Sequence, residues 1–148
     1  ISGATVYHAL NPKGYLCADE MIRFLNKPNF YVAGEGIDIF TPNVVEENAY
    51  DTVFTNLIFF EEEEENKKRY RDENDWLKKY AYNFIANSVK ALVKGGYFIL
   101  YFSDHRFTKY TRPISEYCVR ILEMTFLGVI AVSKSDLEFA NAILVWRK

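Results

Sequence analysis

The chain is 148 residues long, 49% hydrophobic and 26% charged, with a net charge of −2 at neutral pH. That length and apolar content suit a compact domain with a real core and exclude a disordered chain. The near-neutral balance excludes a surface generally coated for polyanions, so nucleic-acid contact has to come from local patches.

No apolar run approaches the ~20 residues of a membrane-spanning helix, and a membrane partner is not expected. Cys17 and Cys118 each lie in an apolar stretch and are too few for a disulfide framework; they read as buried thiols of an intracellular, reducing compartment. No His, Cys or acid falls at metal-ligand spacing, and His8 reads as a structural histidine. The first residue is Ile1 and no secretory pattern follows, so the expectation is a single domain over residues 1–148, incomplete at its N-terminus.

In chain order, residues 5–10 predict a short helix stopped by Asn11-Pro12-Lys13-Gly14. Residues 15–18 predict a brief strand ending in Asp19-Glu20, and Met21, Ile22, Phe24 and Leu25 carry helical spacing. Residues 30–33 and 37–40 are short extended pieces around Gly34-Glu35-Gly36. Residues 52–58, β-branched and aromatic, predict a buried strand. The run Glu61 to Glu65 and the following Lys67, Lys68, Arg69 and Arg71 predict a solvated helix with charge pairs four apart.

Leu77, Tyr80, Phe84, Ile85, Val89 and Leu92 then form a helical face, with Gly95-Gly96 as its stop. Residues 97–102 predict a second buried strand. Residues 105–112 predict a basic, aromatic loop, and Pro113 a helix start. Residues 127–132 and 142–146 are two last strands, joined too closely for a helical crossover and therefore antiparallel. The sum is an α/β fold with a mostly parallel sheet closed by a C-terminal antiparallel hairpin.

Several local motifs resemble the class I, S-adenosylmethionine-dependent methyltransferases, and within them the nucleic-acid amino-methyltransferases. Ser2-Gly3-Ala4-Thr5 resembles the tail of the family's glycine turn, where a Cβ would collide with the ligand. On that resemblance Gly3 is a cofactor-binding candidate, the cofactor is S-adenosylmethionine, and the family's first strand is lacking. Gly14 to Glu20 resembles the second strand and its ribose-binding acid, a job suited to a carboxylate because it accepts both hydroxyl protons. Spacing favours Glu20 over Asp19; the alternative is that either caps the following helix. Asp38 stands where the family's adenine-facing acid lies, and otherwise is a solvated loop acid.

Residues 51–60 resemble the fourth-strand motif Asp/Asn-Pro-Pro-Tyr/Phe, with Asn56 and Phe59 matching and Leu57-Ile58 in place of both prolines. The family's chemistry explains the residue types. An exocyclic amino nitrogen has its lone pair delocalised into the ring; an amide oxygen and a backbone carbonyl accept its protons, and the aromatic stacks on the flipped base. Asn56 and Phe59 are thus catalytic candidates, the alternative being a plain core strand. Arg106, Lys109 and Arg112, interleaved with Phe107 and Tyr110, follow a strand at the ligand-binding edge of such folds and are candidates for nucleic-acid contact, or else for a solvated loop.

The resemblance implies methyl transfer to an exocyclic amino group of a nucleic-acid base, adenine above all, and so DNA methylation. The alternative is a catalytically silent methyltransferase-like subunit that binds a partner protein or nucleic acid, favoured by the lost prolines.

Overall fold

The computed structural model describes residues 7–10, 30–33, 46–57, 60–61, 64–102, 107–132 and 141–148. Contacts divide the chain into two compact units, Ile1–Val44 and Val45–Lys148. In the first, β1 (Tyr7–Leu10) and β2 (Phe30–Ala33) run parallel, Tyr7 opposite Phe30 and Leu10 opposite Ala33. Residues 7–10 are therefore strand, not the helix their sequence predicts; a pairing partner 23 residues away overrides a weak local preference. The strand expected at 15–18 lies outside the described residues.

The second unit holds β3 (Tyr50–Asn56), α1 (Glu64–Arg69), α2 (Glu73–Trp76), α3 (Tyr82–Ala91), β4 (Leu92–Phe102), α4 (Phe107–Arg120), β5 (Thr125–Val132) and β6 (Asn141–Arg147). A π-helical stretch, Leu77–Ala81, joins α2 to α3. The sheet order is β3-β4-β6-β5. β3 and β4 are parallel neighbours, and β5 and β6 are an antiparallel pair at one end, as the sequence predicts. β4 and β6 are antiparallel too, so in this mixed sheet β6 alone runs against the other three strands, as a mostly parallel sheet closed by an antiparallel hairpin requires.

One face of the sheet carries the core. Along β4, Phe98, Leu100 and Phe102 are buried while Tyr97 is exposed and Ile99 and Tyr101 are half-buried, the period of two that a one-sided strand requires. Their cross-strand partners Trp146, Leu144 and Ala142 are buried with them. Ile85 and Val89 of α3 and Ile114 and Cys118 of α4 complete this layer. Tyr82 and Tyr117 lock the two helices together, their rings stacked at 4.2 Å. Burial pushes the Cys118 thiol up to about 12, so it stays a protonated, apolar filler.

The expectation of strands buried on both sides is corrected here. β3 is an end strand of this sheet, and Phe54, on the face opposite the core, is 62% exposed.

Helix ends depart from the sequence reading for identifiable reasons. α2 opens on Asp72, whose carboxylate accepts from the Asp75 amide at 2.9 Å. α3 ends at Ala91, before the glycines, because its last carbonyls are taken from outside: the Asn48 and Ala49 amides donate to Lys90 and Ala91 at 3.0 and 2.9 Å. The Lys148 ammonium donates to the Leu92 carbonyl at 2.6 Å. Gly95 instead lies inside β4 at φ 84°, where the register with β3 shifts, its amide donating to the Lys148 carbonyl. α4 begins at Phe107, so residues 107–112 are helix and not loop, and Pro113 lies inside it. Among the described residues no helix is long and apolar enough to cross a membrane.

Gly96 is buried, and a Cβ there would stand 3.0 Å from the carbonyl oxygens of both Asp51 and Val93. Backbone cannot yield as a side-chain tip can. Gly96→Ala is expected to lose about 1–3 kcal/mol of stability in a urea melt; a change within error would show that β3 and β4 slide apart freely.

Candidate functional site

Because β3 and β4 are parallel, with Thr52 opposite Tyr97 and Asn56 opposite Tyr101, both strands deliver their carboxyl ends to one side of the sheet. This is the side on which open α/β sheets bind ligands. Asn56 is the last residue of β3 and is exposed, with half-buried Tyr101 beside it in register. The next residue, Leu57, is 1% exposed and belongs to the core. Where the resembling motif has a proline ring, an aliphatic anchor here pins the chain just after Asn56. Ile58 and Phe59 lie outside the described residues.

The chain leaving β3 and the helix following β4 then meet. Tyr110, on the first turn of α4, is 1% exposed; its hydroxyl donates to the Glu61 carboxylate at 2.5 Å, and its ring stands edge-on to Trp76 of α2 at 5.3 Å. The Lys109 ammonium donates to the other Glu61 oxygen at 2.8 Å and to Glu73 as well. Partial burial pushes the Glu61 carboxyl up, but the hydrogen bonds from Lys109 and Tyr110 outweigh it and hold the group at about 2, against an ordinary 4.5. The same two carboxylates hold Lys109 above its usual range.

This arrangement corrects one expectation and adds a fact about a second residue. Tyr110 is a buried structural aromatic rather than a face offered to a base. Lys109 is already committed to two carboxylates, which compete with any phosphate for it. Arg112, one turn on, is exposed and, among the described residues, pairs with Glu116 on its own helix, at 3.0 Å.

Sequence reasoning missed Glu61 and Glu73, and the signal was faint: Glu61 looks like the first of five equivalent acids. In the structure, α1 starts only at Glu64, and its charge pair runs three residues apart, Lys67 to Glu64 at 2.5 Å. Gly3, Asp19, Glu20, Asp38 and Arg106 lie outside the described residues, as do Cys17 and the side chains of His8 and Phe107.

No protein-family model matches the sequence, and no curated protein matches it as a relative. Solved structures do. The N-methyltransferase NodS of Bradyrhizobium japonicum superposes with a TM-score of 0.60 at 11% identity, over 96% of this chain and 72% of its own. An rRNA methylase of Streptococcus thermophilus gives 0.59 at 10% identity, over 97% and 73%. The [4+2]-cyclase SpnF gives 0.62 at 12% identity, over 99% and 67%. Of other neighbours the chain spans as little as 47%. At such identities the likeness is one of fold, and the chain has the α/β, Rossmann-like methyltransferase fold.

The Glu61 cluster makes a prediction about acid stability. The folded value of about 2 lies below the ordinary 4.5, so the contribution of Glu61 is complete above about pH 4.5 and is lost as the pH falls toward 2. Glu61→Gln is expected to cost about 1–2 kcal/mol at pH 7, discounted for the solvent on one side of the pair, and to flatten the stability curve across that acid window. Urea melts of both proteins between pH 7 and pH 2.5 provide the measurement; parallel curves would count against the cluster.

Proposed function

We propose that the chain is the methyl-transferring part of an S-adenosylmethionine-dependent enzyme acting on an exocyclic amino group of a nucleic-acid base, adenine being the first substrate to try. The observation that carries the reading is the position of Asn56. An exposed carboxamide closes β3 at the ligand-binding edge of a fold shared with NodS, whose structure holds S-adenosyl-L-homocysteine.

The sequence offers a donor set suited to such a cofactor. The parallel β1–β2 pair sends both strand ends to one edge of its own sheet, and the segments that follow carry Asp19, Glu20 and Asp38. Glu20, with Asp19 as its neighbour, would accept from ribose hydroxyls, Asp38 would face the adenine amine, and Gly3 would let backbone approach. S-Adenosylmethionine, when bound, supplies the methyl group on a sulfonium. On the protein side, the Asn56 amide oxygen accepts a hydrogen bond from the target amine and turns its lone pair out of conjugation, and Phe59 stacks on the base. Leu57, anchored in the core, holds Asn56 at the strand end in place of the prolines.

A second reading stands beside this one, because SpnF carries the same fold and is a [4+2]-cyclase: the fold does not by itself entail methyl transfer. A silent subunit that binds a partner protein or nucleic acid has the same architecture.

Titration calorimetry of the full-length protein with S-adenosylmethionine separates the two. Saturable binding is expected, and no heat at millimolar cofactor removes the enzyme reading. Asn56→Ala should keep that binding and lower methyl transfer to adenine-containing DNA by roughly 10²–10³-fold, the scale of losing one aimed polar group.

If DNA is the substrate, Arg106 and Arg112 supply phosphate contacts. Replacing both by Ala should weaken binding to all sequences alike and lower the salt slope by roughly two units. Lys109→Ala should instead act mainly on stability, through Glu61 and Glu73. An unchanged salt slope in the double variant would move the substrate to a small molecule or a protein.

A further inference from the structure

The far end of the sheet carries an apolar surface of which only one rim residue, Arg112, enters the proposed chemistry. β5 is the end strand opposite β3, and from Thr125 to Val132 it contains no charged residue. Among the described residues nothing pairs with its outer edge. Phe126 is 41% exposed, Leu127 52%, Val129 49% and Ile130 57%.

Both faces of the strand take part. Phe126 and Val129 lie opposite buried Trp146 and Leu144, on the side covered by α4, whereas Ile130 lies opposite Ile143 on the other side. Between α4 and β5 runs an open groove of about 600 Å³, floored by Val119, Phe126 and Val129 and rimmed by Arg112, Glu116 and Arg120. Ile121, where α4 ends, is 65% exposed.

Soluble proteins blunt a lone sheet edge with charges, prolines or bulges. This one has a single bulge, at its start, where the register shifts between Phe126 and Gly128. The stretch after it is regular and apolar.

We infer that a second copy of this chain covers the surface, its β5 pairing antiparallel with the first across a two-fold axis, and Val119 and Ile121 packing beside the joined strands. Three observations select that occupant. The six apolar side chains leave roughly 500 Å² open on each copy, the upper range for a patch on a monomer, and two copies reach the roughly 1,000 Å² that a specific interface needs. A strand without charges can lie against this edge without burying an unpaired charge, and β5 meets that condition for itself. The rim alternates in sign, Arg112, Glu116, Arg120, so it suits neither a basic nor an acidic partner, while a two-fold axis can set cation against carboxylate.

The result is one sheet continuous across the two copies, joined at β5, with four described strands from each.

Light scattering and sedimentation equilibrium of the full chain read this directly. The expected result is a closed species of twice the chain mass. Ile130→Lys, placing an ammonium on the edge, and Ile121→Glu, at the helix end, should each raise the dimer dissociation constant at least about tenfold while leaving the circular dichroism spectrum unchanged. Phe54→Lys, equally exposed but at the opposite end of the sheet, should leave the dimer intact. Four results would overturn the inference: a chain monomeric at about 100 μM, open-ended aggregates in place of a closed dimer, a dimer indifferent to both edge variants, or one dissolved by Phe54→Lys instead.

Discussion

Tyr110 sits where three segments distant in sequence have to meet. Its ring is enclosed by the core and stands against Trp76 of α2, and its hydroxyl reaches the carboxylate of Glu61 on the chain leaving β3. Burying a phenol without a partner for its hydroxyl costs about 1–3 kcal/mol, so the packing of the ring and the position of Glu61 are not independent choices. Lys109 adds a charge to the same carboxylate and joins it to Glu73. The exit of β3, the start of α2 and the first turn of α4 are thereby tied at one node, at the sheet edge where Asn56 is presented. A hydrogen bond to an ionised group is stronger than a neutral one, and this node has two on a single carboxylate.

The node shapes what the edge can offer a ligand. With Lys109 and Tyr110 turned toward Glu61, the start of α4 presents fewer free groups than its sequence suggests, and Arg112 is left as its outward cation among the described residues. The surroundings of Asn56 follow from the one-sided burial of the sheet. Residues in register with Phe98, Leu100 and Phe102 point into the core, and those in register with Tyr97, Ile99 and Tyr101, Asn56 among them, point away from it. One residue later Leu57 points back in, as alternation requires, and is buried. An exposed amide held by an anchored neighbour is a rigid presentation, which is what orienting a weak nucleophile demands.

Core packing on this scaffold is not free of cost. The Trp146 indole is fully buried between Phe98 and Phe126, and among the described residues its N–H has no hydrogen-bond partner. Such a group forfeits part of what its large apolar surface contributes. Phe126, its neighbour on β5, is only partly covered, so the ring shielding Trp146 is itself half open to solvent. Part of the shielding of this core residue thus lies at the unguarded edge of the sheet.

The strand character of residues 52–56 and 97–102, the helical face from Leu77 to Val89, the burial of Cys118 and the antiparallel close of the sheet were all legible in the sequence, whereas Leu92, read as part of that helical face, opens β4. Each rests on a period of two or of 3.6, or on a connection too short to cross over, and such signals are local. What tertiary structure decided is of another kind. Residues 7–10 became a strand because β2 lies beside them. α3 stopped short of its glycines because Asn48 and Ala49 claimed its last carbonyls. Glu61 was singled out from five like neighbours, and Lys109 and Tyr110 were turned from a basic, aromatic surface into a structural tie, by partners 36 to 49 residues away. A local pattern tells which side of an element is apolar, whereas the partner that a charge or a hydroxyl finds depends on which distant segment the fold brings within 3 Å.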